Sequence, residues 1–183
     1  LTRQKIYRYN HLDLNHLNDL LKKTKKEIPK FIVSETLFSM DGDFVNVEEL
    51  REIAKKYNAT LYLDEAHSIG VYGDNGAGCA FGKKYEKEIV VGTFGKSFGS
   101  FGSFVSSSDQ YIQKIINFCG GLIYTTALPP SVYASIDAAI EIIPNLNKER
   151  KNLFENSKFV RTKLNSLNID TGNTHSQIIP IIL

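Results

Sequence analysis

Two short stretches of this 183-residue chain concentrate side chains that can do chemistry. Asp64, Glu65, His67 and Ser68 follow the apolar run Leu61-Tyr62-Leu63, and Thr93, Lys96 and Ser97 stand among glycines at 92, 95, 99 and 102. Lysine carries a flexible amine, and desolvation or nearby positive charge lowers its pKa until it becomes a nucleophile. The glycines around Lys96 let a bulky ligand approach the backbone. The plainer reading of Lys96 is a solvated loop lysine. Asp64 at the end of an apolar strand can hold a protonated pyridine nitrogen, ligate magnesium or form a turn. His67 can donate to a phenolic oxygen or serve only the structure. Ser39 in a polar turn, and Thr125 and Thr126 near the end of an extended stretch, are weak signals taken singly, because Ser and Thr are common at such places.

These groups need elements to hold them. Asp13 can cap a helix over 13–26 with Leu14, Leu17 and Leu21 on one face, and Asn46 can cap a second with Val47, Leu50, Ile53 and Ala54 inward. Strands are expected at 30–34, 60–63, 89–92 and 103–107, an extended stretch at 123–126, and a final strand at 177–183. Further helices are expected from about 108 to 118, at 131–143, and, after Pro144, from Asn147 to about Leu167. Strands alternating with helices imply a mostly parallel sheet covered on both faces, whose ligands bind at the carboxyl ends of the strands. Asp64, Ser39 and the Lys96 loop all fall at such ends.

Composition narrows the field. Apolar residues make up 42% and charged residues 23%, with a net charge of +2, so neither nucleic acid nor a membrane surface is indicated as a partner. Cys79 and Cys119 have no metal-ligand spacing, so no metal is expected; they suit a reducing, cytoplasmic setting. The chain opens at Leu1 and stops inside the apolar run 178–183, which suggests an internal segment of a longer protein.

Asp64-Glu65-Ala66-His67 also spells the magnesium box of one helicase class. That ATPase needs a Gly-x-x-x-x-Gly-Lys-Ser/Thr loop earlier in the chain. Gly95-Lys96-Ser97 ends such a pattern, but Val90 holds the place of its first glycine, and the stretch follows the box.

Four stretches in order carry a resemblance. Glu35–Asp43 (Glu-Thr-Leu-Phe-Ser-Met-Asp-Gly-Asp), Leu63–Gly70 (Leu-Asp-Glu-Ala-His-Ser-Ile-Gly), Gly92–Gly99 (Gly-Thr-Phe-Gly-Lys-Ser-Phe-Gly) and Tyr124–Pro130 (Tyr-Thr-Thr-Ala-Leu-Pro-Pro) resemble the α-oxoamine synthases of the fold-type I pyridoxal 5′-phosphate (PLP) enzymes. The resemblance implies an α/β fold: residues 1–144 as part of the large PLP-binding domain, a mostly parallel sheet flanked by helices, and 145–183 as the start of a small C-terminal α+β domain. It implies that Lys96 forms a Schiff base with PLP, Asp64 pairs with the pyridinium nitrogen, His67 bonds the phenolic oxygen, Thr93 binds the phosphate and Ser39 lies against the cofactor. Thr125 and Thr126 match the segment that reaches the phosphate of a neighbouring subunit's cofactor, which implies a homodimer with shared sites. The implied reaction joins an amino acid to an acyl thioester of CoA or acyl carrier protein, with loss of carbon dioxide. The opening Tyr9-Asn10-His11-Leu12-Asp13, with His16-Leu17, favours the branch that uses alanine and a pimeloyl thioester in biotin synthesis; the glycine-acetylating branch is the alternative. Gly102-Ser103 departs from the family's usual Gly-Gly. The family's ring-stacking histidine would precede Leu1, its small-domain substrate contacts would follow Leu183, and the segment alone is expected to have little activity.

Overall fold

The computed structural model describes residues 4–82 and 85–182. Helix α1 (Leu14–Lys22) begins where the Asp13 side chain accepts the His16 N–H at 2.8 Å, and it buries Leu17 and Leu21. It ends four residues short of the expected 26. No apolar residue continues the stripe beyond Leu21, and lysines occupy 22, 23, 25 and 26. Lys30 Nζ takes the carbonyls of Lys25 and Ile28, each at 2.9 Å, into a turn. Helix α2 (Val47–Lys56) is capped by Asn46, which accepts the Glu49 N–H at 3.2 Å. Glu48 and Glu49 in its first turn and Lys55 and Lys56 in its last complement the helix dipole.

Strands β1 (Phe31–Glu35), β2 (Thr60–Asp64), β3 (Glu88–Thr93) and β4 (Ser103–Ser107) form one sheet in the order β1-β2-β3-β4. The first three are parallel and β4 runs antiparallel to β3. The register sets Glu35 beside Asp64, Asp64 beside Val91, and Thr93 beside Ser103. Glu35, Asp64 and Thr93 therefore end at one edge, and the loop 94–102 turns back over that edge.

Helices α1 and α2 pack on the face that carries Ile32, Leu61 and Leu63. Leu50, Leu61 and Leu63 are fully buried, and each contributes roughly 1.5–3 kcal/mol of transfer free energy. At the far end of the sheet from Lys96, Arg51 and Glu88 form a buried pair, with Nε–Oε2 at 2.7 Å and Nη2–Oε1 at 2.8 Å. The opposite face differs from the expected double cover. Helix α3 (Asp109–Phe118) crosses it, with Tyr111 Oη 2.8 Å from Thr60 Oγ1, while Phe31 and Val33 remain 64% and 61% exposed.

Residues 120–123 form one helical turn, α4 (Gly120–Ile123), and Tyr124 (φ −98, ψ 10) and Thr125 continue as turn and bend, so the extended stretch expected at 123–126 is not formed there. The Ile123 and Tyr124 N–H groups bond back to Cys119 and Gly120. Helix α5 (Pro130–Ile142) is followed by a 3₁₀ turn at Ile143–Asn145 and helix α6 (Asn147–Ser166). The strand expected at 177–183 is replaced by irregular chain with a single bridge, Asp170 to Ile182; Leu183 lies outside the described residues. Arg161 on α6 takes the carbonyls of Ser176 and Ile178 at 2.9 and 3.1 Å, so they do not enter a ladder. Among the described residues no helix is long and apolar enough to cross a membrane.

Candidate active site

The lysine loop is built around Thr93. Its hydroxyl donates to Gly102 O and accepts the Gly95 N–H, both at 3.1 Å, so the hydroxyl expected to bind phosphate is engaged in bracing the loop. Gly92 admits the Phe104 ring: a Cβ there would lie 2.4 Å from it. Gly70 (φ +81) lets the chain after β2 approach the lysine loop, since a Cβ would sit 2.4 Å from Ser97 Oγ. Ser97 closes this approach by donating to Ile69 O at 2.6 Å. The result is Lys96 Nζ at 2.7 Å from His67 Nε2.

A lysine ammonium only donates, so the imidazole of this pair is neutral and accepts at Nε2. Burial is the main influence that lowers the His67 pKa from 6.5, and the Lys96 charge adds to it; Glu35 and Asp64 oppose both. The Asp64 Oδ1 accepts the Ala66 N–H at 2.8 Å, which fixes the carboxylate at the strand end and leaves Oδ2 for a second partner. Ser39 faces the same edge, but its N–H and hydroxyl both bond the Glu35 carboxylate, at 2.8 and 3.4 Å. The fold thus gathers Lys96, His67, Asp64, Thr93 and Ser39 at one end of the sheet. Thr125 and Thr126 are exposed between α4 and α5.

Sequence reasoning passed over three contributors. Glu35 was legible as a strand-end acid in register with Asp64. Gln177 and Arg150 gave no local signal. Gln177 Nε2 donates to His67 O at 2.8 Å, and Arg150 Nη1 reaches Ile143 O at 2.8 Å and Gly70 O at 3.4 Å. A cavity of about 330 Å³ opens beside the Lys96–His67 pair, lined also by Ser97, Leu153, Arg150 and Gln177. A larger groove of about 560 Å³ lies against Tyr72 and Phe154; it shares Arg150 with the first but reaches none of the residues singled out from the sequence. His11 pairs with Asp43 at 2.8 Å.

Glu65 removes the helicase reading. It is 1% exposed and faces inward, accepting the Ala80 N–H at 3.1 Å, where no nucleotide reaches it. Burial raises its pKa above 4.5. Gly95-Lys96-Ser97 also lies between two antiparallel strands, without the helix a phosphate loop opens.

The model of the family "Aminotransferase class I and II" matches residues 1–183. The chain belongs to the aminotransferase class I and II family. Within this family it is similar to proteins provisionally named 8-amino-7-oxononanoate synthase. One from Paramagnetospirillum magneticum is 47% identical over 97% of this chain and 45% of its own length; one from Geobacillus kaustophilus is 43% identical over 100% and 48%. Among solved structures, a serine palmitoyltransferase from S. paucimobilis bearing a PLP–myriocin adduct superposes with a TM-score of 0.87 at 33% identity, covering 94% of this chain and 46% of that one. An 8-amino-7-oxononanoate synthase from Francisella tularensis gives 0.80 at 29%, covering 98% and 52%. The resemblance to α-oxoamine synthases read from the four motifs is borne out, as is the fold-type I class of the sheet. The chain spans about half the length of the relatives it matches.

Proposed function

We propose that this chain is the cofactor-binding portion of a PLP-dependent acyltransferase. In the whole protein, L-alanine and a pimeloyl thioester of CoA or acyl carrier protein give 8-amino-7-oxononanoate, carbon dioxide and the free thiol. The observation that carries this reading is the Lys96 amine held 2.7 Å from His67 at a strand edge shared with Asp64. An amine, an imidazole and a carboxylate are the groups that PLP's aldehyde, phenolic oxygen and ring nitrogen require, so the residues fit the cofactor.

When bound, PLP supplies an aldehyde for an amine and a ring that withdraws electrons from the substrate Cα. The chain's own residues do the rest. Lys96 Nζ would hold PLP at its aldehyde carbon, and the free amine would be the base placed to take the substrate's α-proton. The Asp64 carboxylate keeps a proton on the ring nitrogen, because an adjacent negative charge favours the protonated form. His67 donates to the phenolic oxygen, while Thr93 shapes the loop under the phosphate and Ser39 lines the edge. The cavity beside Lys96 receives the substrates and limits water. Residues 1–144 belong to the large domain and 145–183 begin the small one. Thr125 and Thr126, exposed on their loop, serve a second copy's cofactor in a cytoplasmic homodimer.

The serine palmitoyltransferase likeness favours a second reading, with serine and a long-chain thioester. A turnover assay on the full-length protein distinguishes them, pairing alanine, glycine or serine with pimeloyl, acetyl or palmitoyl thioesters. Alanine with the pimeloyl thioester is expected to be the best pair. Preference for glycine with acetyl thioester, or serine with palmitoyl thioester, overturns the assignment. Addition of PLP is expected to give a Schiff-base band, distinct from the absorbance of free PLP, in the wild type and to lack that band in Lys96→Ala; identical spectra overturn the role of Lys96.

A further inference from the structure

The segment after α6 returns to the sheet edge and docks on backbone carbonyls of the loops that carry the candidate groups. The Thr174 hydroxyl bonds Gly42 O in the turn that holds Ser39, and Gln177 Nε2 bonds His67 O at 2.8 Å. At the start of α6, Arg150 bonds Gly70 O at 3.4 Å. Of these contacts, that of Gln177 falls on a residue touching Lys96. The Gln177 Oε1 is buried with no hydrogen-bond partner among the described residues. The bonded side of this amide is its donor, Nε2 on His67 O. Gln177 also lines the cavity beside Lys96, so the amide stands between the C-terminal segment and the substrate space.

We infer that Gln177 is a positioning residue: its amide fixes the His67 carbonyl, and through it the imidazole against Lys96, and so ties the C-terminal segment's docking to the reactive amine. The backbone at 67 is otherwise governed from its flanks, by the Ser68 N–H to Glu65 O (3.0 Å) and the Ile69 N–H to Glu65 O (2.9 Å). Gln177 alone, among the described residues, bonds the His67 carbonyl. The inference rests on the reading of Lys96 and His67 as the cofactor pair.

The test uses the full-length protein with histidine labelled at ring Cε1. NMR titration without PLP follows the His67 signal, assigned by its loss in His67→Gln. Lys96, Glu35 and Asp64 are the charged groups that act on this ring. In Gln177→Met, which keeps length and packing and removes the amide, the ring is expected to loosen toward solvent. Its titration midpoint should move up toward the ordinary value. Gln177→Leu is the second variant if the first does not fold. With PLP bound, kcat per loaded site is expected to fall about 10-fold, the size of one displaced hydrogen bond of about 1.4 kcal/mol, with KM for both substrates little changed. An unmoved His67 midpoint in a folded variant overturns the inference. If the wild type shows no Lys96-dependent PLP absorbance, the cofactor reading fails, and the cofactor-free titration still decides the role of Gln177.

Discussion

Strand β3 has a polar cluster at each end, and the two are built in opposite ways. At its start, Glu88 meets Arg51 in a two-point contact, with the guanidinium 1% exposed and its remaining donors on Ala80 O and Glu48. At its finish, Thr93 opens the loop that carries Lys96, an exposed lysine whose ring partner is a neutral imidazole. The first cluster buries the guanidinium and the Glu88 carboxylate against each other, with Glu48 at its exposed rim. The second leaves a cation facing a neutral group, with the Asp64 and Glu35 carboxylates at adjacent strand ends. Complete pairing makes an inert brace, whereas incomplete pairing leaves groups able to accept a ligand and a proton. The same strand thus joins a stability centre to a reactive one.

The largest expected effect is at the reactive end. Lys96→Ala should reduce turnover of the full-length protein by at least ~10⁴-fold, the upper range for a general base. Its urea midpoint should stay within error, because an exposed loop lysine contributes little to folding. A stability loss as large as the activity loss would erase the contrast between the two ends. At the other end, Arg51→Met should cost about 3–5 kcal/mol in equilibrium unfolding, since it strands a buried carboxylate. Arg51→Met combined with Glu88→Leu should recover most of that loss. A double variant as unstable as the single would show that Arg51 acts through Ala80 O and packing instead of the pair.

A smaller effect separates the ends by pH. Hydrogen bonding to Glu88 raises the Arg51 pKa above its already high ordinary value, so this end keeps its charge throughout the neutral range. His67 has its pKa lowered from 6.5, chiefly by burial. Below 6.5 the unfolded chain therefore binds the proton more readily than the folded one. Stability should fall as pH drops through this window, and the fall from this source should end below the folded-state pKa. Urea unfolding of wild type and His67→Gln between pH 5 and 8 checks the sign. Equal pH slopes would show that His67 makes no contribution.

Much of this was present in residue order. Asp13 and Asn46 marked two helix starts, and short apolar runs marked four strands. Four motifs in order identified the family, because each strand end carries its own functional group. The extent of α1 was less legible: the stripe ended at Leu21, but Lys30 closing the turn is a contact from farther along the chain. The apolar run at 178–182 promised a strand, and Arg161 claimed its carbonyls.

By itself the sequence determined which groups exist at the strand ends and the element types that carry them, since caps and apolar periods act locally. Tertiary structure decided how they meet. The parallel register set Glu35, Asp64 and Thr93 on one edge, and the approach at Gly70 brought His67 within 2.7 Å of Lys96. Only the folded chain could place Gln177 on the carbonyl of a residue 110 positions earlier. Local preferences select elements, while contacts between distant segments depend on how those elements pack.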